Sequence, residues 1–433
     1  MQQQARAYIL ITIVSAFLTS GIVMAFNLLV DPYGSYRLIE ATAKVQSKPA
    51  IYRRVKLAKA YDVRRIKPEA IVLGTSRSHV ALRMTHEGWS APLNARYNDA
   101  FDGATTKEMY AYLVHAHAVH PLRQVVLGLD SWQLGRGPAW TRPDFDQTFL
   151  FEPGRPLHNA SVYATDLSLL ISTDTTSASI AEIRGKNSEE PQWLAPDGQR
   201  LGEIFFREVE PSYSISPSTY FRNVDRQEIA FTLDAGPSPT GNRRKMPPSG
   251  LQPDLTSLDY IREIVWFCRE HSIDLRIFIT PAHAHQLEIA ALLGGWPAIE
   301  RGKRDLVNLL AQDAESHATR PFTLYDFCGY SSVTTEEVPP AGSEAEMKYY
   351  WDSSHFKQEV GDWIVDRLFG TASKDRPVPD DFGVLLTRAT IDATLQKVRV
   401  DQAVYRHEHP ADVAGIQLMV EQVKNEITSR IHK

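Results

Sequence analysis

The chain reads as an α/β protein: a three-layer α/β/α sandwich around a mainly parallel sheet, with one N-terminal transmembrane helix and a long insertion. Three observations predict this. Short aliphatic runs at 70–73, 124–127 and 275–279 stop at glycine or small polar residues, the pattern of strands buried on both faces. Helical periodicity fills the stretches between them, which imposes parallel pairing through right-handed crossovers. Ahead of them, residues 7–30 carry no charge and are mostly Ile, Leu, Val, Phe and Ala, enough at helical rise to cross roughly 30 Å of hydrocarbon.

Composition bounds the rest. The 433 residues are 43% hydrophobic, which supports one large core or two ordinary ones. Charged residues make up 23% with a net charge of −5, so no basic excess points to nucleic acid. Cys268 and Cys328 lie outside any CxxC or Cys/His metal spacing and are either two core thiols or one disulfide.

Arg6 and the α-amino group precede the apolar run and Asp31 follows it. That bias places the amino terminus in the cytoplasm and the bulk of the chain outside the inner membrane, in the periplasm. A cleaved signal peptide is the competing reading, with Val23-Met24-Ala25 as the cleavage site; the length of the run favours an uncleaved anchor. We therefore divide the chain into a cytoplasmic end and anchor (1–31), a juxtamembrane linker (32–68), a first sheet segment (69–134), an insertion or cap (135–255), a second sheet segment (256–375) and a helical extension (376–433).

The linker opens with the breaker Asp31-Pro32-Tyr33-Gly34 and ends at Lys67-Pro68. The first strand, 70–73, leads into Gly74-Thr75-Ser76-Arg77. A short second strand at 92–97 is followed by Asn98 and, after Asp102, Gly103; then Thr105 and Glu108 have capping-box spacing at the start of a helix. The third strand, 124–127, ends at Gly128-Leu129-Asp130-Ser131-Trp132. Periodicity is weak through the insertion, which includes the breaker-rich stretch 235–242. It returns with a helix through Leu258, Ile261, Ile264, Val265 and Cys268, a fourth strand at 275–279, a helix at 305–314 and a fifth strand at 322–327. Tyr349-Tyr350-Trp351-Asp352-Ser353-Ser354-His355 precedes a helix with Val360, Trp363, Ile364 and Leu368 on its apolar face, and the extension carries two more helical patterns.

Ser76 stands just past the carboxyl end of a buried strand, the edge of an open α/β sheet where ligands bind. Taken alone it is also a helix cap. Asp352, three residues before His355, can fold back onto one imidazole nitrogen while the other faces outward, the orienting and basic half of a serine-nucleophile triad. Arg77 either holds a substrate beside Ser76 or makes a structural ion pair. His283 and His285 follow the fourth strand; with no carboxylate at fixed spacing beside them we expect no metal, and His283 is read as lining the cleft. Tyr349, Tyr350 and Trp351 are either a sugar-stacking platform or core packing.

On Gly74-Thr75-Ser76, Gly103 and the closing Asp352-x-x-His355, the sequence resembles the SGNH (GDSL-like) hydrolase superfamily, and more closely its membrane-anchored bacterial branch linked to O-acetylation of cell-surface polysaccharides. The resemblance covers the two sheet segments and implies a flavodoxin-like sheet with Ser76 as nucleophile, His355 as general base, Asp352 as its orienter, and Gly103 as an oxyanion donor. It implies an acyl ester of an envelope polysaccharide as substrate, no cofactor, and a membrane-bound O-acyltransferase as partner. One block departs: the family has Gly-x-Asn where this chain has Gly128-Leu129-Asp130. A carboxylate does not donate to an oxyanion, and one lost donor costs about 3 kcal/mol of transition-state stabilisation. Either Asp130 is held protonated, or Asn98 or Ser131 donates instead, or the site is no ordinary hydrolase. The expected activity is a periplasmic serine acyltransferase or esterase; a silent scaffold that binds polysaccharide or assembles an export complex, and a lipid or thioester hydrolase, are the alternatives.

Overall fold

An aliphatic run that must be buried on both faces belongs inside a sheet, and the run at 70–73 is placed there: Ile71 and Val72 have no exposed surface. The computed structural model describes residues 2–38, 48, 50–135, 137, 139–185, 191–234 and 255–431. The breaker-rich stretch 235–242 lies outside them. In chain order the longer helices are α1 (Gln2–Val30), α2 (Val55–Ile66), α3 (Ser76–Ala81), α4 (Thr106–Val119), α5 (Pro156–Leu170), α6 (Thr173–Ile183), α7 (Pro217–Asp234), α8 (Ser257–Glu270), α9 (Ala284–Leu292), α10 (Trp296–Ser316), α11 (Gln358–Phe369), α12 (Ile391–Glu408) and α13 (Pro410–Ile431). The strands are β1 (Ala70–Leu73), β2 (Arg96–Asn98), β3 (Gln124–Leu129), β4 (Asp274–Ile279), β5 (Thr323–Asp326) and β6 (Val384–Leu385).

The chain divides into two units, each with its own packing. One comprises Met1–Lys67, Val114–Pro121 and Asp144–Gln192. Its α1 is long and apolar enough to cross a membrane, with a mean hydropathy of 2.3 and no burial along its most apolar window. Among the described residues, only the last turns of α1 are buried or partly buried. There Asn27 is fully buried, its amide donating to the Leu170 carbonyl at 2.7 Å and to Thr176 at 2.9 Å, while Ser179 donates back at 2.9 Å. A buried amide in an otherwise apolar helix is satisfied only by such partners, so it fixes α1 to the α5–α6 pair. Asp166 of α5 ties in α2, accepting from Tyr61 at 2.5 Å and from both terminal nitrogens of Arg64 at 3.2 and 2.8 Å.

The other unit comprises Pro68–Leu113, Leu122–Pro143 and Trp193–Lys433 and holds a six-stranded sheet in the order β2-β1-β3-β4-β5-β6. The first five strands pair in parallel and β6 pairs antiparallel with β5. The chain crosses from β1 outward to β2 and returns to β3 on the other side of β1, so strand order reverses there and opens a crevice at the carboxyl ends of β1 and β3. Val72, Val126 and Phe278 pack with Trp363 and Ile364 of α11 in one cluster. Each such fully buried side chain contributes about 1.5–3 kcal/mol. The α13 helix buries Ile416, Val420 and Val423 against Ile229 of α7 and Ile289 of α9.

Several boundaries differ from expectation, each for a local reason. The third strand runs on to Leu129, because Gly128 lies inside the ladder opposite Phe278. The second strand starts at Arg96, after a 3₁₀ turn over Leu93–Ala95. The extension contributes β6 as well as helices, a strand of two residues that leaves no periodic signal. The stretch 135–255 carries several helices joined by irregular segments where described, and 144–192 belongs to the unit of α1 whereas the part from 193 onward belongs to the sheet unit. Cys268 and Cys328 are both free and buried, and burial raises both thiol pKa values, so neither is a ready nucleophile.

Candidate active site

Ser76 is the first residue of α3, at the carboxyl end of β1. The turn that carries it needs glycine at 74: a Cβ there would strike the Ser78 side chain, and one at Gly128 on the neighbouring strand would strike the same hydroxyl. The two glycines let the first turn of α3 settle between β1 and β3. His355 arrives from the loop after Tyr350, which is closed by a bridge between Tyr350 and Phe356 and by the Trp351 N–H donating to the His355 carbonyl at 2.8 Å. Its Nε2 lies 2.8 Å from Ser76 Oγ.

Asp352 is fully buried and holds the imidazole from the other side, with Nδ1 2.8 Å from Oδ2 and 3.0 Å from Oδ1. Oδ1 also accepts the backbone N–H groups of Ser354 at 2.7 Å and His355 at 2.8 Å. Those bonds fold the loop into a turn around the carboxylate and fix the ring so that Nδ1 donates and Nε2 is left to accept from Ser76. This is the geometry that lets an imidazole take a hydroxyl proton. The inner part of the insertion supports it: Phe206 stacks on Trp351 at 5.0 Å and sits 5.8 Å from the His355 ring.

Asp130, at the end of β3, is an acceptor on every side. Thr75 donates to Oδ2 at 2.9 Å, the Trp132 indole N–H to the same oxygen at 3.1 Å, and Thr280 to Oδ1 at 2.7 Å. Arg77 stands 3.7 Å away as its ion-pair partner. Both Asp130 oxygens are taken up as acceptors of these bonds, so the side chain turns no donor toward an oxyanion. Asn98 offers none either, because its amide hydrogens go to the carbonyls of Ser78 at 3.1 Å and Leu82 at 2.8 Å. Ser131 opens the 3₁₀ turn after Asp130, beside the cluster.

Arg77 is buried and structural. It reaches Ser354 through Nε and Nη2, Thr280 through Nη1 and Gln286 through Nη2 at 2.7 Å. His283 does not line a cleft. It is fully buried as the N-cap of α9, accepting from the His285 N–H through Nδ1 and donating to the Glu336 carbonyl at 2.8 Å through Nε2. Burial, with His285 adding to it, holds its pKa well below the ordinary histidine value. The second histidine, His285, has the carboxylate that sequence spacing lacked, Asp225 of α7 at 2.8 Å. Tyr350 and Trp351 are buried and are core packing.

Gly103 has φ +58, a left-handed conformation that suits glycine. A Cβ there would strike the Arg142 guanidinium. Glu108, the capping-box acid, also accepts the Arg142 N–H at 2.8 Å and so seats this arginine over the Gly103 turn. Sequence reasoning missed this, and it missed Thr280, Gln286, Trp132 and Glu228. Thr280 carried a readable signal, being the first residue past a buried strand. Glu228 lies on the α7 face of Phe221, Val224 and Asp225, and burial raises its carboxyl pKa, with the charge of Arg77 opposing and that of Asp352 adding. An acid at i+3 and i+7 from buried residues was the available sign. Trp132 keeps 47% of its surface exposed while its indole N–H is anchored on Asp130.

No family model matches the chain, and no curated protein matches it at a significant level. The site therefore stands on its geometry: a serine, a histidine and a buried aspartate in hydrogen-bond series at the strand-order reversal of a mostly parallel sheet.

Proposed function

We propose that the chain is a membrane-anchored, SGNH-like serine acyltransferase or esterase that acts on O-acyl groups, acetyl foremost, of an envelope polysaccharide on the periplasmic side of the inner membrane. The observation that carries the reading is the Ser76–His355–Asp352 series, with 2.8 Å from hydroxyl to imidazole and 2.8 Å from imidazole to carboxylate. The strand order 2-1-3-4-5 agrees with a flavodoxin-like, three-layer arrangement. The apolar α1 agrees with an anchor that keeps the site beside a membrane acyl donor, the arrangement a membrane-bound O-acyltransferase partner would use.

In this mechanism Ser76 Oγ attacks the acyl carbonyl as His355 Nε2 takes its proton, and Asp352 stabilises the imidazolium. The carbonyl oxygen becomes the oxyanion, held by the N–H groups of Ser76 and Gly103, and the Arg142 guanidinium brings positive charge to the Gly103 turn. The proton then passes from His355 to the leaving oxygen. A sugar hydroxyl or water, deprotonated by His355, attacks the acyl-enzyme and releases Ser76. Trp132, exposed beside the same cluster, offers a ring face to a pyranose.

The test is labelling of the detergent-solubilised full chain with a fluorophosphonate. A Ser76-dependent adduct, lost in Ser76→Ala, with turnover of acetyl esters is expected; no adduct and no turnover overturns the reading. One observation favours a second reading, a silent scaffold that binds polysaccharide: Asp130 accepts hydrogen bonds where relatives of this class place a donor. If Ser76→Ala and His355→Ala leave the envelope phenotype intact while deletion of 193–234 abolishes it, the scaffold replaces the enzyme.

A further inference from the structure

The α5 helix of the anchor-bearing unit has three sides. Val162, Asp166 and Leu170 are buried against its own unit. Leu157, Ala160, Ala164, Leu167 and Ile171 recur every three or four residues on a second side, and all are exposed, Leu157 at 88% and Leu167 at 52%. Ser161 and Ser168 border this side at its Leu157 edge, and beyond them His158 and Thr165, half-buried, mark a third side that is polar. A water-facing helix does not normally turn so wide an apolar sector to solvent. The neighbouring α6 adds Ile183, 65% exposed, and Ile180.

This apolar side continues an apolar surface already present. The Leu170 carbonyl, at the end of α5, and Thr176 and Ser179 of α6 are the groups that hold Asn27 in the last turns of α1, so the stripe begins where the membrane-crossing helix leaves the apolar phase. Arg155 precedes α5 and Arg184 follows α6, both exposed, one at each end of the pair. Exposed apolar side chains flanked by arginines fit the boundary between acyl chains and anionic headgroups. A second copy or another protein would need the stripe without needing its continuity with α1.

We propose that α5 and α6 lie in the membrane interface, with Leu157, Leu167, Ile171 and Ile183 inserted among the lipids, so that this unit is seated on the bilayer as well as tethered by α1. The proposal rests on the anchor reading of α1 and on nothing in the catalytic reading.

The test uses the full chain reconstituted in vesicles of phosphatidylglycerol and phosphatidylethanolamine, with one cysteine introduced at a time and carrying an environment-sensitive nitrobenzoxadiazole dye. The positions are Leu157, Ile183, Thr165 and, within α1, Phe17. The parent chain, whose two thiols are buried, gives the background. Dyes at Leu157 and Ile183 should be blue-shifted and quenched by brominated acyl chains, at a depth of about 5–10 Å below the headgroups, with Thr165 quenched less. Quenching at Phe17 with none at Leu157 and Ile183 overturns the proposal and leaves the anchor standing. Quenching at none of the four removes both. A blue shift at Leu157 without quenching means that protein covers the stripe, and equal quenching at Thr165 means that it has no sidedness; either result overturns the proposal.

Discussion

Arg77, the residue after Ser76, donates to Ser354, the residue before His355, through Nη2 at 3.0 Å and Nε at 3.2 Å. The two halves of the candidate triad are thus tied by their neighbours, across a buried guanidinium that also reaches β4 through Thr280 and α9 through Gln286.

A residue that acts by such ties should show its effect in placement. In Arg77→Lys the charge opposite Asp130 remains but the planar fork is gone. The expected result is a chain that still folds and labels with fluorophosphonate on the order of a hundredfold more slowly, since a misplacement of about 1 Å costs that much. Unchanged labelling would show that Arg77 serves stability alone.

Asp130 tests the opposite intuition. Asp130→Asn installs the amide that the resemblance to the SGNH superfamily implies at this position, yet it removes the partner of a buried arginine and turns an acceptor of three hydrogen bonds into a mixed group. Breaking a buried pair costs about 3–5 kcal/mol, so D130N should unfold at lower temperature and show no gain in turnover. A faster and equally stable D130N would mean that the oxyanion lacks a donor at this position after all.

Trp132 separates sugar recognition from chemistry. Trp132→Phe keeps an aromatic face and Trp132→Ala does not. Stacking of this kind contributes about 0.5–1.5 kcal/mol, so W132A should raise KM for an O-acetylated oligosaccharide roughly two- to thirteenfold. W132F should stay near the parent, and both should turn over 4-nitrophenyl acetate alike. Equal losses on the two substrates would assign Trp132 to the Asp130 network only.

Glu182 makes stability depend on pH. Burial lifts its carboxyl from 4.5 to about 7, against the pull of Lys48 at 3.7 Å. The folded chain therefore keeps this proton after the unfolded chain has lost it. The contribution to stability is complete below pH 4.5, shrinks as pH rises, and is gone above the folded value of about 7. Urea unfolding of the full chain in detergent should show a lower midpoint at about pH 8 than at about pH 5, and Glu182→Gln should flatten that slope. An unchanged slope would place Glu182 in water.

Much of the site was legible because its signals are local. Gly74-Thr75-Ser76 after an aliphatic run, Asp352 three residues before His355, and Thr105 with Glu108 are spacings that backbone geometry converts directly into a strand end, a turn and a helix cap. His283 was misjudged and Asp130 left open because their roles come from partners far away in sequence. The Glu336 carbonyl captures His283, while Thr75 and Arg77 at the start of α3 and Thr280 after β4 converge on Asp130.

The sequence by itself determined an N-terminal helix long and apolar enough to cross a membrane, the buried strands and the residue types at the crevice, because hydrophobic length, period and glycine placement are properties of neighbours along the chain. Tertiary structure alone decided that Ser76 and His355, 279 residues apart, stand 2.8 Å from each other. It also decided that Asp130 accepts rather than donates, and that α5 exposes an apolar side beside the end of α1. Those outcomes depend on which groups meet across the fold, and a buried polar group takes its role from the partners that satisfy it.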